Sequence, residues 1–170
     1  MHKRISIITA AIFCVGSHHG AIADSDTIYM GQTVPYSDSS SIAQAILNDC
    51  QLPQQQAELI ERLAQSQGIT VVRDDESVKA GKGRVLHVEI TSAVSMGNAF
   101  IGHRKQVSVK GHLFENGTEI GNFSGLRSSM GGAFAGFKGS CSVLGRCVET
   151  LAKDIALWLK NPTKESRIGE

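Results

Sequence analysis

Little in this 170-residue chain points to chemistry, and each absence closes off a class of function. Charge of one sign is missing: 17 Lys and Arg stand against 16 Asp and Glu, a formal net charge of +1. A protein that coats nucleic acid neutralises phosphates with a large basic excess, so no nucleic-acid partner is expected. Cysteines number four, and no two have the C-x-x-C spacing of a thiol redox catalyst. No serine or cysteine sits in a nucleophile motif, so no catalytic residue is assigned. The nearest approach to a phosphate loop is GGAFAGFKGS, where Gly131 and Gly136 are correctly spaced. A P-loop then needs Gly-Lys-Ser/Thr, but here Phe137 precedes Lys138 and Gly139 follows it. No nucleotide and no other cofactor is expected.

Long apolar runs are missing as well, and the short one at the start has a different meaning. Lys3 and Arg4 precede an eleven-residue apolar run from Ile5 to Val15, and Ala21-Ile22-Ala23 places small residues at −3 and −1. Positive head, apolar middle and A-x-A form the pattern of a cleavable signal peptide, residues 1–23, cut before Asp24. As a helix the apolar run spans about 16 Å, roughly half of a bilayer's hydrocarbon core, so a retained anchor is not expected. Cys14 follows the bulky Phe13, where a lipoprotein cut needs a small residue. Removing the leader takes out Lys3, Arg4, Cys14 and three of the six histidines, leaving a chain near neutrality. What remains, roughly 150 residues, suits one domain with an adequate core. The predicted location is the periplasm.

Residues 24–41 are rich in Ser, Asp and Gly and read as an irregular lead-in, with a short strand at Ile28–Tyr29. The single α+β domain is placed at 42–160, although Ile42 to Leu47 is too short to classify. Pro53 to Gln67 predicts a helix: Ala57, Ile60, Leu63 and Ala64 share a face, Pro53 suits the first turn, and Gly68 stops it. Ile69 to Arg73 reads as a short strand and DDESVKAGKG as a charged loop. Arg84 to Val94, Gln106 to Glu115 and Thr118 to Ser128 alternate as strands, the last two joined by Asn116-Gly117, a hairpin-turn pair. A two-residue turn sets Leu113 opposite Ile120 and Val107 opposite Leu126. A second helix runs from Ser142 to Lys160 on the stripe Leu144, Val148, Leu151, Ile155 and Leu159. Residues 161–170 are polar and predicted to be a flexible tail. The expected fold is α+β, a four-stranded mostly antiparallel meander with two helices packed on one face.

An internal echo is the most informative pattern. SMGNAFIGHR (95–104) and SMGGAFAGFK (129–138) agree at six of ten positions, 34 residues apart. The flanks do not repeat, so this is no solenoid. Each copy follows a strand, and the two strands run the same way, about 10 Å apart across an intervening one. Both copies would then leave the same end of the sheet and form a Gly-rich rim. Met96, Phe100, Met130, Phe134 and Phe137 would line it, edged by Arg104, Lys105 and Lys138. An exposed apolar rim with basic edges suits an envelope protein or a membrane surface. The same Phe and Met side chains could instead fold back and seal the core.

Two histidines offer a second possibility. With Leu86 opposite Leu113, His87 lies opposite His112 and Glu89 opposite Lys110. A cross-strand His pair could contribute to a Zn²⁺ or Cu²⁺ site, though two ligands are too few for a complete one. The mature cysteines are Cys50, Cys141 and Cys147, an odd number for an oxidising compartment. Cys50 and Cys141 each stand just before a predicted helix on the sheet, which makes them the preferred bridge. Cys50–Cys147 and Cys141–Cys147 remain open.

Cys50-Gln51-Leu52-Pro53, together with Gly139 to Cys147 leading into LAKDIALWL (151–159), resembles a family of small exported proteobacterial proteins carrying a domain of unknown function. The resemblance implies a Gram-negative envelope location and an α+β fold, and it carries over no catalytic residue. A non-enzymatic binding or accessory module is the reading adopted. A small periplasmic hydrolase or metal-binding protein using His87 and His112 is the alternative.

Overall fold

A computed structural model describes residues 26–98, 102–129 and 139–169; the leader lies outside them. In chain order the elements are β1 (Ile28–Met30), α1 (Gln44–Asp49), α2 (Leu52–Gln65), β2 (Val71–Arg73), α3 (Asp75–Ala80), β3 (Arg84–Asn98), β4 (Gly102–Glu115), β5 (Thr118–Ser129), α4 (Ser140–Trp158) and β6 (Ser166–Ile168). The strands form one mixed sheet in the order β2-β1-β3-β4-β5-β6. The α+β class holds, but among the described residues the sheet has six strands rather than four, and four helices stand where two were expected.

The long strands follow from alternation. Leu86, Val88 and Ile90 of β3 are buried, as are Val107, Val109 and Leu113 of β4. Between them Leu86 pairs with Leu113, His87 with His112, and Glu89 with Lys110, as the pattern predicts. Asn116 and Gly117 turn β4 into β5 with φ of 49° and 81°, the left-handed pair that a tight hairpin requires. Past the turn the expected register fails. Glu115 pairs with Thr118 and Phe114 with Glu119, but Leu113 then meets Gly121, so Ile120 is an extra, bulged residue. Val107 consequently faces Arg127, and Leu126 pairs with Ser108 instead. A one-residue slip exchanges the two faces of a strand. Phe123 is thereby buried, and Leu126 is left 38% exposed.

The flanking strands are parallel and owe their places to crossovers. α1 and α2 carry the chain from β1 to β2, and α4 carries it from β5 to β6. The lead-in segment is therefore structural. Ile28, Met30 and Val34 belong to the core, and β1 lies between β2 and β3. The charged loop holds α3, whose signals were all present: Asp74 caps the N–H groups of Glu76 and Ser77, and Gly81 closes it in the left-handed region. The polar tail is also ordered at Ser166–Ile168, which pairs with Phe123–Gly125. The Trp158 indole N–H donates to Ser166 Oγ at 3.0 Å, tying the tail back to the end of α4.

α2 and α4 pack together over the sheet, burying Leu52, Ala57 and Ile60 from one and Leu144, Val148, Leu151 and Ile155 from the other. A Cys50–Cys141 disulfide joins them, with Cα atoms 5.0 Å apart. Cys50 sits between α1 and α2, while Cys141 lies inside the first turn of α4 rather than before it. Closing a loop of this length is worth about 4–5 kcal/mol in the chain-entropy model. Cys147, the leftover thiol, is buried, and burial pushes its pKa up. Under the helices the sheet needs glycine in one place above all. The Phe123 ring lies across Gly111, where a Cβ would come within 2.3 Å of it, and edges against Trp158 at 4.8 Å.

Gly111→Ala should therefore cost about 2–3 kcal/mol, the range for an overpacked core, read as a lower denaturation midpoint with unchanged m-value. Thiol labelling of the mature chain checks the cysteines. Native protein should take up no label, unfolded unreduced protein one per chain, and reduced protein three. Rapid labelling of the native protein would contradict the buried Cys147.

Candidate functional site at the end of the sheet

The helix-covered face of the sheet is apolar through most of its length and turns polar at one end. Partners across an antiparallel sheet point to the same side, so its rows can be read from the register. Ala93, Val107 and Arg127 form one row, and Ser95, Lys105 and Ser129 form the next. Lys105 has the same parity as the buried Val107 and Val109, and it too is buried, at 4% exposure. It is not the exposed rim residue that a loop at this place would make it. Its ammonium donates to Ser95 Oγ, and the Ser95 hydroxyl donates to Ser140 Oγ, 3.1 Å away in the first turn of α4. No carboxylate among the described residues pairs with Lys105. One row inward, Arg127 makes a two-pronged contact with Asp154 of α4, Nε to Oδ2 at 2.9 Å and Nη2 to Oδ1 at 3.1 Å. That carboxylate holds the guanidinium still more firmly protonated.

The first echo copy is a hairpin extension rather than a loop after a strand. Ser95 pairs with Lys105, Met96 with Arg104, Gly97 with His103 and Asn98 with Gly102. The second copy opens at Ser129, which flanks Lys105 on its other side. Both copies thus start level with one another at the same end of the sheet. Met96 is 58% exposed and lies on the face away from α4. For Arg104 the backbone pairing alone is described. Phe100, Met130, Phe134, Phe137 and Lys138 lie outside the described residues.

The histidine pair sits on that outer face. His87 and His112 are direct partners, with Phe114 packed against both at centroid distances of 5.6 and 6.3 Å. His112 Nδ1 contacts Glu119 Oε2 at 2.9 Å, and Glu119 accepts a further bond from Asn122 at 2.6 Å. Those contacts, Asn122 first, hold the Glu119 carboxyl below its ordinary range. Among the described residues no three His, Cys, Asp or Glu side chains gather at metal-ligand distance. His87 borders a pocket of about 290 Å³ with Gly31, Thr33, Asp75 and Val78.

Arg127, Asp154, Arg146 and Thr150 went unremarked in the sequence. The register of β5 carried the missing signal: shifted by the bulge, it turns Arg127 toward α4. Helical spacing then places Arg146, Thr150 and Asp154 four residues apart along one side of that helix.

No family model matches the chain, and no curated protein matches it. Solved structures do. A minor lipoprotein from Acinetobacter baumannii superposes with a TM-score of 0.51 at 10% identity, covering 84% of this chain and 97% of its own. PelC from Paraburkholderia phytofirmans, described as a dodecamer, gives 0.48 at 14% identity, covering 79% and 91%. A lipoprotein from Neisseria meningitidis gives 0.42 at 16% identity, covering 77% and 98%. At such identities the first of these likenesses speaks for the fold alone.

A carboxylate with a depressed folded-state pKa contributes stability above its unfolded pKa and loses it as the pH falls through the folded value. Glu119→Gln should therefore flatten the loss of stability on acidification below about pH 4. Urea midpoints measured from pH 2 to 7 would show it, and parallel curves for both proteins would contradict the coupling.

Proposed function

We propose that this chain is an exported, non-enzymatic envelope module that engages its partner through the projecting end of its sheet. The observation that carries this reading is the extension of the β3–β4 hairpin past Lys105–Ser129, the last described pairing of β4 with β5. Among the described residues β1 covers β3 at Arg84–Leu86, Tyr36 makes one further bridge at Ile90, and β6 covers β5 at Phe123–Gly125. Beyond those points the β3–β4 hairpin continues to Asn98 and Gly102, carrying the exposed Met96.

Three further facts support it. The leader pattern directs the chain out of the cytoplasm. The Cys50–Cys141 bridge suits an oxidising compartment such as the periplasm. The fold is shared with a bacterial lipoprotein. The partner surface would comprise Met96, Phe100, Arg104, Met130, Phe134, Phe137 and Lys138, apolar at its centre and basic at its edge. That composition fits an envelope protein or an anionic membrane surface. The resemblance to small exported proteobacterial proteins points to the same compartment.

The test is affinity capture from the envelope fraction of a Gram-negative host expressing the full chain with its leader. Intact mass should place the mature N-terminus at Asp24. The wild type should retain a partner or sediment with membranes, and Met96→Ser, Phe100→Ser and Phe134→Ser together should abolish that retention. Retention unchanged in the triple variant would remove the rim as the site.

A further inference from the structure

We propose that the cleft between α4 and β5, on the helix-covered side of the sheet, binds a phosphoryl oxyanion. The cleft has a volume of about 250 Å³ and is lined by Arg127, Ser128, Ser129, Arg146, Cys147 and Thr150. Its two side walls each supply a guanidinium. The Arg127 fork is oriented by Asp154, which binds through both oxygens. Arg146 is exposed and forms no ion pair among the described residues. Arg146 lines the cleft together with its buried sequence neighbour at the floor. That floor is closed by Cys147 itself, whose Sγ lies 4.0 Å from the Lys105 carbonyl. Thr150 Oγ1 is anchored on the Arg146 carbonyl at 2.9 Å.

The charge balance selects the ligand's sign. Asp154 faces Arg127 and offsets one cation. Glu149, the next carboxylate on α4, lines a groove beside α2 together with Arg146, Arg62 and Gln55, and forms no ion pair with either arginine among the described residues. Among the described residues Arg146 forms no ion pair, and the buried Lys105 is a second cation without one, in the row beyond. Guanidinium groups match a tetrahedral oxyanion, which takes several donors at once. Such a group can be presented by free phosphate or by a phospholipid headgroup. The cleft lies on the opposite face from Met96.

Amide shifts of the mature chain during titration with inorganic phosphate, at constant ionic strength, read the site directly. Saturable changes are expected at Ser128, Ser129, Arg146 and Thr150. Arg146→Ala, an exposed and unpaired position, should weaken binding about tenfold or more, with Arg146→Lys losing less. Co-sedimentation with phosphatidylglycerol and with phosphatidylcholine vesicles separates the sources. Saturable phosphate binding that depends on Arg146 assigns a free anion. Phosphatidylglycerol binding alone, lost in Arg146→Ala, assigns a headgroup. Absence of both, or binding undiminished in Arg146→Ala with circular dichroism unchanged, overturns the proposal.

Discussion

The seating of α4 on β3, β4 and β5 is the constraint from which the rest of the molecule follows. Its stripe of Leu144, Val148, Leu151 and Ile155 supplies one side of the core. The helix is then fixed at three heights by three different kinds of bond. Cys141 ties its first turn covalently to the start of α2. Asp154 holds Arg127 of β5 through both carboxylate oxygens. Trp158 packs on Phe123 and bonds Ser166, so the end of the helix also positions β6. A helix clamped in this way cannot slide or roll without breaking a covalent bond, a partly buried ion pair or a ring contact. That rigidity sets the relative positions of every group at the polar end of the sheet.

Gly111 and the bulge at Ile120 show why the sheet accepts α4. Phe123 needs the space above Gly111, and it reaches that face only because β5 has shifted by one residue. Without the bulge, Phe123 and Arg127 would point to the outer face and Leu126 would enter the core. The bulge therefore decides both the packing under α4 and the presence of an arginine beside Asp154. Nothing in the sequence around Gly121 marks it. Either register gives tolerable apolar pairs near the turn, and the choice is made by the aromatic contact with Trp158, far away in the chain.

The legible parts of the fold are those governed by local rules. Alternation gave the cores of β3 and β4 and the His87–His112 pairing, helical spacing gave α2 and α4, and Asn116-Gly117 gave the turn. The short parallel strands were harder to read. β1 and β2 read as short strands from their β-branched residues but their parallel pairing does not show, while β6, three residues in a polar tail, has too few for a period. α3 is different: its acidic first turn, Asp74 cap and terminal Gly81 were all visible and were outweighed by its charge. The buried Lys105 was legible too, since its parity matches Val107. Parity has meaning only while strand pairing continues, and β3 pairs with β4 past Lys105, out to Asn98 and Gly102.

The polar end of the sheet has a consequence that its apolar body does not share. Lys105 is buried against hydroxyls and not against a carboxylate, so its positive charge is hydrogen-bonded but not cancelled. A charge in that position is costly unless the surrounding dipoles favour it or a counter-charge completes it. The hydroxyls of Ser95 and Ser140 satisfy the ammonium's geometry without supplying that counter-charge. Arg127 draws on Asp154, and Arg146 has no ion-pair partner among the described residues. The field at this end is thus positive and held in place by the clamped helix, so an incoming anion would meet donors already positioned. Pre-positioned donors reduce the ordering cost that flexible surface lysines impose on binding. By that reasoning the clamp on α4 serves recognition as well as stability.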